Sequence, residues 1–256
     1  MDVLKHNSNA WNQEVARGNP WTRPVSSQEI AQARLNNFRI VLTPTKAVPP
    51  QWIGQVKGKR ILCLASGGGQ QGPLLAAAGA RVTVLDASEK QLERDDNVAA
   101  KEGLSLETLL GDMASLGCFQ DGTFQLIVHP VSNCFVPNIM PVWRECFRVL
   151  EPGGALLSGF NNPIIYSFDR ALVERGILQL KHGIPYSDEE SLTREEIERF
   201  VEESKPLEFG HSLEDQIGGQ LNVGFVLRGF YEDKCGDDRL EDRYFSAFIA
   251  TWAIKP

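Results

Sequence analysis

Long apolar runs are missing from this sequence. No stretch approaches the roughly 18 uncharged apolar residues that a bilayer-spanning helix needs, which excludes an integral helical membrane protein. The first segment, Met1 to Asn12, is polar and carries no apolar h-region, so secretion is not expected. Cysteine is sparse and unpatterned. The five thiols, Cys63, Cys118, Cys134, Cys146 and Cys235, form no C-x-x-C pair, and the four histidines are equally dispersed. A zinc site and a disulfide framework therefore have no sequence support, and no metal is expected. Thiols without a pattern point to a reducing compartment, hence the cytoplasm. Basic residues do not cluster, and 33 acidic against 26 basic residues leave a net charge of −7. A nucleic-acid polymer is thus an unfavoured partner, since phosphate binding calls for a positive stripe. There is no internal repeat and no low-complexity tract. With 256 residues the chain can bury a substantial core.

What is present is organised around Ile61 to Gly72, I-L-C-L-A-S-G-G-G-Q-Q-G. A short apolar run, Ile61 to Ala65, reads as a buried parallel strand. It breaks into Gly67, Gly69 and Gly72 at the spacing G-x-G-x-x-G, and a small-residue helix, Pro73 to Gly79, follows. Strand, glycine turn and helix open a doubly wound α/β nucleotide site. Glycine allows a ligand to touch main chain there, and the helix amino end offers N–H groups to an anion.

From Gly58 the chain alternates. Strands are expected at Ile61–Ala65, Arg81–Leu85 (closed by Asp86), Ser105–Leu110, Phe124–His129, Ala155–Phe160, Gly224–Tyr231 and Phe245–Lys255. Helices are expected at about Ser88–Glu102, Asn138–Leu150 and Ser212–Leu221. This predicts a seven-stranded, mostly parallel, doubly wound α/β sheet with right-handed crossovers. A polar loop over Glu232–Asp242 permits one antiparallel strand in the edge region. Four parts are distinguished. Residues 1–50 form a helical arm, with helices at Asn7–Ala16 and Ser26–Val41. Residues 51–160 form the Rossmann-like core. Residues 161–207 form a helical cap inserted after strand five, with helices near Phe168–Leu180 and Thr193–Glu203. Residues 208–256 complete the sheet.

Two acids strengthen the glycine signal. Asp86 ends strand two, 19 positions beyond Gly67, which suits a carboxylate facing ribose hydroxyls. Asp112 ends strand three, where a side chain can accept from an adenine amino group. Ligands of open α/β sheets bind outside the carboxyl ends of the strands, so all three features face one crevice.

On these residues the chain resembles the class I S-adenosylmethionine-dependent methyltransferases, in particular the small-molecule, ubiquinone/menaquinone-biosynthesis-like type 11 branch. The resemblance covers about residues 59–160. It rests on I-L-C-L-A-S-G-G-G, V-T-V-L-D-A-S, G-D-M-A-S-L, F-Q-L-I-V-H and F-R-V-L-E-P-G-G. It implies a methyl-transfer enzyme with S-adenosyl-L-methionine as cofactor, S-adenosyl-L-homocysteine as product and a small-molecule acceptor. It further implies that Ala65, Ser66, Gly67 and Gly69 hold the methionine moiety, that Asp86 holds the ribose and that Ala87, Ser88 and Gln91 flank the adenine. Asp112 and Met113 would meet the adenine, and His129 and Pro130 would lie under the sulfonium. Where the family has an acid, this chain has Cys63. Where the family has glycine, it has Ala65. Both departures bear on the turn that orients the cofactor.

For an acceptor that must lose a proton, His129 and His211 are the candidate bases. Ser212 reads as a helix cap. Trp11 and Trp21, on the polar arm, are candidates to cover a ligand, with His211 at the return from the cap. Two other readings fit the same residues: an NAD-binding oxidoreductase on the literal G-x-G-x-x-G, and a non-catalytic cofactor-binding protein on the same fold.

Overall fold

The computed structural model describes residues 1–236 and 239–256. Its centre is a seven-stranded sheet in the order β3-β2-β1-β4-β5-β9-β8. The strands are β1 (Arg60–Leu64), β2 (Arg81–Asp86), β3 (Leu106–Leu110), β4 (Phe124–His129), β5 (Leu150–Asn161), β8 (Val226–Asp233) and β9 (Phe248–Ile254). Strands β1 to β5 pair in parallel, and β9 runs antiparallel to both β5 and β8. The expected seven strands and the single reversed strand near the edge are all present. A two-stranded ladder, β6 (Tyr186–Ser187) with β7 (Phe209–Gly210), lies apart from this sheet.

Central strands are apolar throughout because both faces are covered. In β1, Ile61 and Cys63 point into one core with Val82, Val84, Leu126 and Val128. Leu62 and Leu64 point into the other, with Leu85, Ile127 and Trp143. Edge strands differ: β8 alternates exposed and half-buried residues, as a strand covered on one side should.

The first core is roofed by α2 (Ser27–Arg34), α3 (Pro50–Ile53), α4 (Gln71–Ala77) and α5 (Glu89–Glu102), and the second by α6 (Met140–Val149). Helix α1 (Val3–Arg17) belongs to the arm. The cap holds α7 (Arg170–Val173), α8 (Asp188–Ser191) and α9 (Arg194–Glu202), and α10 (Gly219–Asn222) follows a single π-turn over Glu214–Gly218. Local chemistry sets the ends. Ser26 and Glu29 form a reciprocal capping box on α2, Ser88 caps α5 and Thr193 with Glu196 boxes α9.

Some boundaries depart from the sequence expectation. The second arm helix stops at Arg34 instead of Val41. Asn36 adopts a left-handed φ of 61°, a conformation asparagine tolerates, and the chain turns out of the helix. Beyond it Ile40 and Leu42 are buried on alternate positions, and Val41 bridges to Ala47. The helix expected near Phe168–Leu180 is reduced to Arg170–Val173. Gly176 turns left-handed at φ 78°, and Phe168 bridges to Leu180, closing the segment as a loop. The expected loop Glu232–Asp242 continues as strand to Asp233 and has a 3-10 turn from Leu240, while 237 and 238 lie outside the described residues. No helix among the described residues is long and apolar enough to cross a membrane.

Candidate functional site

The carboxyl ends of β1, β2, β3 and β4 open into one cavity of about 990 Å³. The glycine turn contributes Ala65, Ser66 and Gly67. Asp86, Ala87, Ser88 and Gln91 come from β2 and the start of α5, Asp112 and Met113 from the end of β3, and Pro130 from the end of β4. The N-terminal segment adds Trp11 and Trp21, and the far side is lined by Tyr166, Tyr186 and Glu208 among others. Three residues singled out in the sequence lie outside this lining: Gly69, His129 and His211.

The turn is held by carboxylates. Gly67 N–H donates to Asp86 Oδ2 at 2.9 Å, and Ser88 N–H donates to Asp86 Oδ1 at 2.8 Å. Gly68 and Gly69 N–H both donate to Asp95 Oδ2 at 3.0 Å, and Gly68 N–H also reaches the Gln91 carbonyl at 3.1 Å. The N–H groups of all three glycines are therefore spoken for inside the protein. A pyrophosphate approaching the turn would find these amides occupied and two buried acids behind them.

Burial governs the acids. Desolvation raises the Asp86 pKa, and the N–H groups of Ser88 and Gly67 oppose the rise by favouring the carboxylate. Asp95 is wholly buried and is pushed up to about 8, chiefly by desolvation. Gly69 and Gly68 N–H oppose that shift, and the charge of Asp86 adds to it. Asp95 Oδ1 and Ser66 Oγ are buried with no hydrogen-bond partner among the described residues. Ser66 is a residue of the cavity wall, with its Oγ turned out of contact with solvent.

Asp95 escaped the sequence reading. A signal was available: it stands three residues after Leu92 and three before Val98, on the buried stripe of α5. An acid on an apolar stripe needs a polar partner, and here the partner is the glycine turn.

Ala65 follows β1 with φ 46°, in the left-handed region, and its N–H donates to the Leu85 carbonyl at 2.7 Å. An L-residue there costs about 1–2 kcal/mol, which glycine escapes at an entropic cost of about 0.5–1 kcal/mol. Ala65→Gly is accordingly expected to stabilise the protein by up to about 1 kcal/mol, read as a higher midpoint in urea. A lower midpoint would show that the methyl packs favourably enough to offset the strain.

The histidines are structural. His129 is fully buried at the end of β4. Its Nδ1 lies 2.9 Å from the Leu64 carbonyl oxygen and its Nε2 lies 2.6 Å from the Asn133 side-chain oxygen. His211 Nε2–H is shared between the carbonyls of Asn133 (3.0 Å) and Val136 (2.9 Å). Burial lowers the pKa of both rings, which keeps them neutral. Neither faces the cavity, so neither is positioned as an acceptor's base. They tie β1, β4 and the loop after β4 together.

The arm is fastened to the site by hydrogen bonds that no local pattern reveals. Ser8 Oγ donates to the Ala87 carbonyl (2.6 Å), Ser88 Oγ donates to Asn12 Oδ1 (2.8 Å), and Val25 N–H donates to the Gly69 carbonyl (2.9 Å). Trp11 packs edge-on against Phe135 with centroids 5.3 Å apart, whereas Trp21 stands about half exposed at the cavity rim. On the cap side, Tyr166 and Tyr186 stack at 5.2 Å. The Tyr166 hydroxyl donates to Glu208 (2.9 Å), Arg170 pairs with the same carboxylate at 3.2 Å, and the Tyr186 hydroxyl donates to Asp188 (2.7 Å).

This strand order, and a cavity floored by a glycine turn and the acids after β2 and β3, define a class I, S-adenosylmethionine-dependent methyltransferase. A family model described as a methyltransferase domain matches residues 62–158. The chain is 51% identical over 253 residues to "Uncharacterized methyltransferase YbaJ" of Bacillus subtilis, covering 99% of this chain and 98% of that one. It therefore belongs to that methyltransferase family. Over 118 residues it is 30% identical to a ubiquinone biosynthesis O-methyltransferase of Bordetella avium, covering 43% of this chain and 49% of that one. Among solved structures, a geranyl diphosphate C-methyltransferase from Streptomyces coelicolor A3(2) shares the fold with a TM-score of 0.60 at 14% identity, covering 100% of this chain and 99% of that one.

Proposed function

We propose that this methyltransferase holds S-adenosylmethionine in the core half of the cavity and a small-molecule acceptor in the half formed by the arm and the cap. One observation carries the reading: the glycine turn directs its N–H groups onto Asp86 and Asp95. Amides already engaged by buried acids offer no donors to a dinucleotide's pyrophosphate, whereas a ligand without phosphates needs none. When bound, the cofactor supplies an activated methyl group on a sulfonium.

The residues then have separable tasks. Ala65, Ser66 and Gly67 bear on the methionine moiety, since all three line the cavity at the end of β1. Asp86 faces the ribose with the lone pairs that Gly67 and Ser88 do not engage. Ala87, Ser88, Gln91, Asp112 and Met113 surround the base. Arm and cap exclude water and orient the acceptor, which is most of what transfer from a sulfonium requires. Where the acceptor must lose a proton, Glu208 takes it, since it lines the cavity beside Tyr166 and the two histidines do not. Five free thiols and the absence of a membrane-spanning helix among the described residues support a cytoplasmic setting.

Calorimetry with S-adenosylhomocysteine and with NAD tests the cofactor assignment. Binding of S-adenosylhomocysteine with no heat from NAD is expected, and the reverse pattern would refute it.

A further inference from the structure

The loss of the first-strand acid at Cys63 raises a question that the structure answers from another element. Cys63 is fully buried among apolar side chains, and burial pushes its thiol pKa up, with Asp95 adding to the rise. An acidic group has thus not left this part of the core. It has moved from β1 to α5.

We propose that Asp95 is the positioning residue of the cofactor turn: its carboxylate sets the turn from behind, from the buried side, in place of an acid on β1. The inference rests on the cofactor reading above, and concerns a residue that touches the turn and not the ligand.

Three features of the geometry carry it. A single oxygen, Oδ2, receives two consecutive N–H groups, Gly68 and Gly69, both at 3.0 Å. These two glycines have φ of 110° and 74°, so their peptide planes are turned into an orientation that side-chain-bearing residues rarely adopt, and the shared acceptor is what fixes it. Next, the acid lies under the turn and not in the cavity. A methyl added at Gly72 would come within 3.2 Å of Asp95 Oδ1, and Asp95 is absent from the lining while Gln91, one turn earlier on α5, is present. Finally, the Gly68 N–H is shared with the Gln91 carbonyl, so one stretch of α5 supplies both the cavity wall and the anchor of the turn. Motion of α5 relative to β1 would therefore move the cofactor-facing residues Ser66 and Gly67 with it.

The experiment is calorimetric titration of the full-length protein and its variants with S-adenosylhomocysteine, each variant first checked for cooperative unfolding. Asp95→Leu fills the site without offering an acceptor and is expected to weaken binding at least tenfold. Asp95→Asn keeps one acceptor oxygen for both N–H groups and is expected to bind within threefold of the native protein. That rescue separates positioning from a general packing role, which leucine would serve as well as asparagine. Should Asp95→Leu fail to fold, Asp95→Ala is read in its place against the same tenfold threshold. Native-like affinity in the acceptor-free variant would overturn the proposal, as would an equal loss in the Asn variant. Failure of the native protein itself to bind S-adenosylhomocysteine would strike the cofactor reading instead, so the two are distinguishable.

Discussion

Asp86→Ala is expected to lower affinity for S-adenosylhomocysteine on the order of a hundredfold. Asp86 is buried, and each of its oxygens already receives a main-chain N–H, from Gly67 at 2.9 Å and from Ser88 at 2.8 Å. Alanine leaves both donors without a partner, at about 1–3 kcal/mol apiece. Part of that penalty falls on stability in the absence of ligand. The remainder falls on binding, because Gly67 and Ser88 both form cavity wall, and about 1.4 kcal/mol corresponds to tenfold in affinity. Titration calorimetry beside urea unfolding separates the two. Asp86→Asn, which retains one acceptor, should lose less. An alanine variant that binds within threefold of native would remove Asp86 from the site.

Gly159→Ala is expected to destabilise the fold by about 3 kcal/mol, near the upper end for overpacking in a closed core. Gly159 lies inside β5, and a β-carbon there would sit 2.3 Å from the Leu42 carbonyl oxygen and 2.8 Å from its carbon. Both are main-chain atoms, so no rotamer change relieves the contact. The same carbonyl accepts from Val131 N–H at 3.1 Å, and Leu42 and Val131 both line the cavity. The substitution thus pushes the segment after α2 away from the sheet and opens the site. Guanidinium denaturation measures the loss, and an unchanged midpoint would mean that residues 40–45 yield without cost.

Legibility in the sequence followed the range of the interactions involved. Asp86 could be read as a strand-end acid because that role is set within a few residues, and it takes that position in the fold. The Asn36 turn was locally encoded as well, but helical periodicity from Ser26 obscured it. Asp95 was half visible: its place on the apolar stripe of α5 marks it as buried, yet nothing near it in sequence says that Gly68 and Gly69, 27 and 26 residues earlier, are its partners. His129 and His211 lie buried outside the cavity lining, a placement that no local pattern shows. His129 Nδ1 lies against the Leu64 carbonyl, and His211 Nε2 against the carbonyls of Asn133 and Val136, all contacts between segments distant or irregular in the chain.

The sequence by itself determined the alternation of strands and helices, the glycine turn, the strand-end acids and the family they imply, because period and local sterics act along neighbouring residues. Only the tertiary structure decided which way the turn's amides face, which acid holds them, and how arm and cap close over the cavity. Those are contacts between segments distant in the chain, and they exist only once burial has made an unpaired amide or carboxylate too costly to leave alone.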